Sequence, residues 1–161
     1  MGKRSDFKRI ERDYYRTPKS AVVPLARFLK PGMRYYEPCA GDGALVRHLE
    51  ELSGVVCAGA SDIEPQHYSV DRKDAFDIDE EILGDVFADV IITNPPWDRK
   101  ILHPLINHFV HMGMPVWLLF DADWAHTKQA APFLEWCSHI VSIGRVKWIE
   151  NSKMTGKDNC A

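Results

Sequence analysis

The sequence predicts an α/β fold, a mostly parallel and twisted sheet with helices on both faces. Three observations lead there. Short apolar runs alternate with amphipathic helical stretches along most of the chain. Residues 88–93 form a run that is apolar on both faces, as strands inside a parallel sheet are. The chain has 161 residues and is 45% hydrophobic, which fits one domain with a real core and excludes global disorder.

The elements follow in order. Thr17 and Pro18 read as the N-cap and first residue of a helix reaching to about Leu29, with Pro24 marking a kink or a late start. Tyr35-Tyr36-Glu37 is a short strand that ends in a turn from Pro38 to Gly43. Residues 44–49 begin an amphipathic helix that stops before Gly54. Residues 55–60 read as a second buried strand, and 88–93 as a third. Residues 101–112 are helical, with Ile101, Leu105, Phe109 and Met112 on one stripe. A strand at 115–120 and a helix at about 127–136 come next. Two last strands, 139–143 and 146–149, are bridged by Gly144-Arg145. No repeat or low-complexity segment interrupts this pattern.

The charge is unevenly spread around a net value of −3. By itself that total argues against a nucleic-acid binder. Yet residues 1–19 carry seven bases (Lys3, Arg4, Lys8, Arg9, Arg12, Arg16, Lys19) against three acids. From Glu37 to Asp98 only Arg47, Arg72 and Lys73 oppose a long series of carboxylates, and Arg145, Lys147, Lys153 and Lys157 make the tail basic again. No apolar run is long enough to span a membrane. The first six residues are charged and do not read as a secretory signal. Cys39, Cys57, Cys137 and Cys160 share no C-x-x-C spacing, which suits a reducing cytoplasm.

Ligands of open α/β sheets sit beyond the carboxyl ends of the strands. Four polar or glycine-bearing turns follow strands or strand ends here: Glu37-Pro38-Cys39-Ala40-Gly41-Asp42-Gly43, Ser61-Asp62-Ile63-Glu64, Asp74-Ala75-Phe76 and Asn94-Pro95-Pro96-Trp97. In the first, Gly41 and Gly43 let backbone approach a ligand. The phosphate-binding spacings G-x-x-x-x-G-K-[ST] and G-x-G-x-x-G are absent, and Glu37 and Asp42 favour a cationic ligand. Asp62 is placed to accept hydrogen bonds from ribose hydroxyls. Two prolines after the 88–93 strand stiffen a turn that presents the Asn94 side-chain oxygen and the Pro95 carbonyl as fixed acceptors. Such a site suits a planar NH2 group, and Trp97 offers a face for a planar ring.

Together these turns resemble the S-adenosylmethionine-dependent amino-methyltransferases of the Rossmann-like class, especially DNA adenine N6-methyltransferases. The first turn resembles the D/E-P-x-x-G-x-G cofactor loop, from Glu37 to Gly43. Asp62-Ile63-Glu64 resembles the acidic turn whose first residue holds the ribose and whose apolar residue packs on adenine, and Asp74-Ala75-Phe76 the turn that meets the adenine amine and covers its ring; Asp77 is the alternative to Asp74 for that amine. Asn94-Pro95-Pro96-Trp97 resembles the catalytic N/D-P-P-Y/F/W motif, with Asn94 also at the cofactor. Tyr15-Arg16-Thr17-Pro18 resembles the Thr-Pro segment at the methionine end. The order is that of the gamma-type arrangement, and the chain is similar to small phage or prophage-encoded enzymes.

The resemblance implies a basic arm at 1–16 and one catalytic domain at 17–161. It implies S-adenosyl-L-methionine as cofactor, S-adenosyl-L-homocysteine as product, DNA as partner and the cytoplasm as location. Arg99, Lys100, Lys147 and Lys153 are the candidate phosphate contacts. The family's closing strand hairpin is expected to be missing or cut short. No insertion is long enough for a dedicated reader of the target, so specificity is expected to be short, loose or supplied by a partner. The alternatives are methyl transfer to RNA or to a protein glutamine amide, and a cofactor-binding or DNA-binding remnant.

Other clusters read as structural. His103, Asn107 and His111, with His108 beside them, share a helix face without a completing carboxylate or cysteine, so no metal site is expected. Residues 77–81 suit a helix N-terminus. Cys39 lacks a paired histidine in sequence. Trp124 reads as a core indole.

Overall fold

Strand alternation organises the molecule. The computed structural model describes residues 14–148 and 158–161. In β1 (Arg34–Glu37), Tyr35 and Tyr36 point to opposite faces, and in β4 (Val90–Thr93) Ile92 and Ile91 do the same. One face buries Tyr35, Val90 and Ile92 against α1 (Lys19–Ala26) and α2 (Ala44–Ser53), through Val22, Leu25, Leu45 and Leu49. The other buries Tyr36 and Ile91 against α3 (Glu80–Asp85) and α4 (Arg99–His111), through Leu83, Leu105 and Phe109. The predicted α/β architecture is therefore present, a sheet with helices on both sides.

With β2 (Val56–Asp62), β3 (Asp71–Arg72) and β5 (Val116–Leu118), the five strands are ordered β3-β2-β1-β4-β5, and every pairing is parallel. The order reverses between β1 and β4. That reversal opens a crevice at their carboxyl ends, where the turns after them diverge.

Several expectations are corrected. Pro18, not Thr17, is the N-cap of α1, and Thr17 spends its hydroxyl on Asn94. α1 ends at Ala26, with Pro24 inside it. β2 is half-exposed, because only Ser61 and Asp62 pair with β3 on its outer side. The buried stripe of α4 is Leu102, Leu105, Ile106 and Phe109; Ile101 is 39% exposed. The helix expected at 127–136 shrinks to α5 (Ala131–Leu134), preceded by a 3-10 helix, Ala122–His126. Pro132 sits in the first turn of α5, where its missing N–H costs no helical hydrogen bond.

The last third departs furthest. Leu119 alone separates β5 from β6 (Phe120–Asp121). Residues 139–148 do not form the expected hairpin, and residue 149 of the expected last strand lies outside the described residues. β7 (Ser142–Arg145) runs through Gly144, whose φ of 72° accompanies a register shift rather than a turn. Its antiparallel partner is β8 (Asp158–Cys160), which lies between β6 and β7. A strand at 158–160 thus pairs antiparallel on both sides, where the sequence was expected to run out of strands. Asp158 and Asn159 have poor strand propensity, and β8 forms because it has a partner on each side.

Candidate functional site

The crevice holds a cavity of about 420 Å³, a size suited to a small-molecule ligand. All four turns reach it. Its wall takes Pro38, Cys39, Ala40, Gly41 and Asp42 from the first, Asp62 and Ile63 from the second, Asp74, Ala75 and Phe76 from the third, and Asn94 and Pro96 from the fourth. Tyr15 and Thr17 close it from the segment ahead of α1. Of the two acids left open for the adenine amine, Asp74 lines the cavity and Asp77 does not. The Asp74 carboxylate accepts the Phe76 N–H at 3.0 Å, which starts the short 3-10 helix Ala75–Asp77.

Some sequence-selected residues stand behind the wall. Pro18 caps α1, and Gly43 caps α2 at φ 75°. Pro95 is buried, and Trp97 is half-buried with its indole N–H turned inward. Arg99 donates to the Gln129 side chain at 2.5 Å, while Lys100 and Lys147 are exposed. Lys153 and the bases of residues 1–13 lie outside the described residues.

Glu37 ends β1 beneath the first turn and is 1% exposed. Its Oε2 has no hydrogen-bond partner among the described residues. Burial pushes its carboxyl well above the usual range, and the Asp62 and Asp42 carboxylates push the same way, only partly opposed by the Asn94 backbone N–H. Burial likewise pushes the Cys39 thiol up, so it is no ready nucleophile. The acids Asp42, Asp62, Glu64 and Asp74 make the wall favourable to a cation.

Hydrogen bonds hold this wall in shape. Asp62 accepts the Gly41 N–H on Oδ2 and the Glu64 N–H on Oδ1, each at 2.8 Å, tying the first and second turns together. Gly41 adopts φ 54°, and a Cβ there would come within 2.7 Å of the Tyr14 ring. Only glycine lets the ring settle on the turn. Arg16 Nε reaches Asp42 Oδ2 at 2.9 Å, and Arg47 meets the same oxygen at 3.3 Å. Residues 14–16 lie against the cavity.

Tyr14, Gln66 and Ile101 also line the cavity without being singled out in the sequence, and Arg16, quoted there only within the Thr-Pro segment, lines it too. Arg16 had a legible signal, a base beside Thr17 facing an acidic turn; Ile101 had none, because helical spacing assigned it to the core stripe. The histidines of α4 each have a different neighbour. His103 Nε2 accepts from Trp124 Nε1 at 2.9 Å, His108 Nε2 meets the Ile78 carbonyl at 2.8 Å, and His111 Nδ1 meets the Asn107 carbonyl at 2.6 Å.

No family model matches the chain, and no curated protein matches it. A solved structure described as the crystal structure of PH0851 is similar, with 18% identity and a TM-score of 0.47. The match covers 86% of this chain and 41% of that one. The chain thus spans less than half the length of that protein.

Proposed function

We propose that the chain is an S-adenosylmethionine-dependent methyltransferase of the Rossmann-like class, acting on the exocyclic N6 amine of adenine in DNA. The observation that carries this reading is the convergence of four sequence-distant turns on one cavity at the β1/β4 reversal, with Asn94 on its wall. Asp62 would hold the ribose, Ile63 and Phe76 the faces of the adenine, Asp74 its amine, and Tyr15 and Thr17 the methionine end. The antiparallel strand β8 supports the same reading, since the family ends in such a strand pairing. When bound, the cofactor supplies an electrophilic methyl group and leaves as S-adenosyl-L-homocysteine.

The chain's own task is binding and orientation. The acidic wall suits a sulfonium cation. An aromatic amine is a weak nucleophile, because its lone pair is shared with the ring. By accepting one N–H, Asn94 Oδ1 would draw the nitrogen toward a tetrahedral form with its lone pair free. The Pro95 carbonyl becomes the second acceptor once the base has entered as far as this turn. No strong base is needed before attack, and the proton can leave to water afterwards. Positioning then supplies most of the acceleration. The target base must leave its stack to reach the cavity, with Arg99, Lys100 and Lys147 as candidate phosphate contacts.

The test is transfer from labelled S-adenosylmethionine to duplex DNA, RNA and protein extract. Label in DNA adenine is the expected result. Label in protein alone, or cofactor binding without transfer to any of the three, overturns the reading. Asp62→Ala should weaken cofactor binding by about tenfold or more in calorimetry, because it removes the ribose acceptor and releases the first turn.

A further inference from the structure

The fourth turn and the segment ahead of α1 meet at one side chain. Asn94 Nδ2 donates to Thr17 Oγ1 at 3.2 Å and to the Tyr15 carbonyl at 3.4 Å. Asn94 Oδ1 accepts from Trp97 Nε1 at 3.3 Å, and the same indole N–H reaches the Leu119 carbonyl at 3.1 Å. A backbone carbonyl can only accept, and an indole N–H can only donate. These two partners of fixed polarity set the amide one way round. Turned by 180°, Oδ1 would face the Tyr15 carbonyl and Nδ2 would face the indole N–H, two repulsive contacts. Thr17 is buried and Trp97 half-buried, so water competes poorly for either bond.

We propose that Thr17 and Trp97 are positioning residues that clamp the Asn94 amide: with the Tyr15 carbonyl, the Trp97 indole sets the rotation of the amide, and the buried Thr17 hydroxyl holds its NH2 in place, leaving an Oδ1 lone pair open to the cavity. Oδ1 has two acceptor positions, and Trp97 takes one. The other can receive an incoming N–H. An unclamped amide would turn its NH2 toward the cavity part of the time, and an NH2 cannot accept from an amine. Leu119, at the junction of β5 and β6, anchors Trp97 in turn. The clamp therefore spans the turn after β4, that junction and the segment ahead of α1. What enters the cavity rests on the methyltransferase reading; the clamp does not.

Trp97→Phe keeps an aromatic face and removes only the N–H. Thr17→Val keeps the shape and removes the hydroxyl, and Thr17→Ser restores it. In protein labelled with 15N-asparagine, the side-chain NH2 resonances of Asn94 are identified by their loss in Asn94→Asp. We expect them to shift, and their exchange with water to accelerate about tenfold, in Thr17→Val and Trp97→Phe but not in Thr17→Ser. In transfer to adenine-containing duplex DNA, kcat should fall about tenfold in the first two with KM for DNA within about twofold, and Thr17→Ser should recover. Unmoved Asn94 resonances in both folded variants overturn the clamp, whatever the activity. Shifted resonances with unchanged kcat overturn its positioning role. Shifted resonances in a protein whose wild type methylates no DNA uphold the clamp and remove the methyltransferase reading instead.

Discussion

The two central strands meet opposite surroundings at their two ends. At the amino ends of β1 and β4 the polar groups satisfy one another. The Arg34 N–H donates to Asp89 Oδ2 at 2.7 Å, the Asp89 N–H donates to the Arg34 carbonyl at 2.7 Å, and the Arg34 guanidinium holds the Val86 carbonyl at 3.1 Å. At the carboxyl ends the same strands leave Glu37 Oε2 buried without a partner among the described residues, beside a cavity lined by carboxylates. Unpaired buried polar groups cost free energy, and they concentrate where a fold keeps capacity for a ligand. One end of the sheet pairs its polar groups; the other opens on the cavity.

That contrast can be broken by substitution. The largest effect is expected from Asn94→Ala at the binding end. Transfer should fall at least about a hundredfold, with cofactor affinity changed only a few-fold and the melting temperature nearly unchanged. Steady-state transfer and calorimetry measure both, and a fully active variant would contradict the role given to Asn94. Asp89→Ala at the stability end should do the reverse. It should cost about 1 kcal/mol in denaturant unfolding and leave kcat alone.

Glu37→Gln sharpens the contrast through pH. Burial raises the Glu37 carboxyl in the folded state, so the folded chain holds a proton that the unfolded chain has released. The associated stability is complete below the ordinary glutamate value and is lost as pH rises toward the folded value. The variant has no such titration. It should melt higher than wild type near pH 8 and close to it near pH 4. Parallel melting curves at both pH values would show that Glu37 does not titrate in this way.

The smallest effect belongs to Phe87, just past α3 at the stability end. It adopts φ 53°, a left-handed conformation that favours glycine, and is 75% exposed. Phe87→Gly should raise stability by about 0.5–1 kcal/mol without touching transfer.

How much was legible depended on the range of the interactions involved. The core strands and α2 and α4 announced themselves through alternation and helical spacing, which are local. The four turns were legible because each carries residue types that a strand or helix interior disfavours: glycines, paired prolines and acids. The hairpin at 139–149 was misread because Gly144 marks a bulge as readily as a turn. Only the arrival of β8 from residues 158–160 decides between the two. Ile101 was misassigned because spacing places a side chain on a helix face without saying whether that face meets core or cavity.

The sequence by itself determined the α/β architecture and the residues that stand at the strand ends, because periodicity and turn chemistry act over a few residues. Only the tertiary structure decided that those turns share one cavity, that Tyr14 and Arg16 close it, and that Asn94 is held between Thr17 and Trp97. Apart from the Asn94–Trp97 bond, those contacts join residues far apart in the chain. They form only when strand order reverses between β1 and β4 and brings the turns to one edge of the sheet.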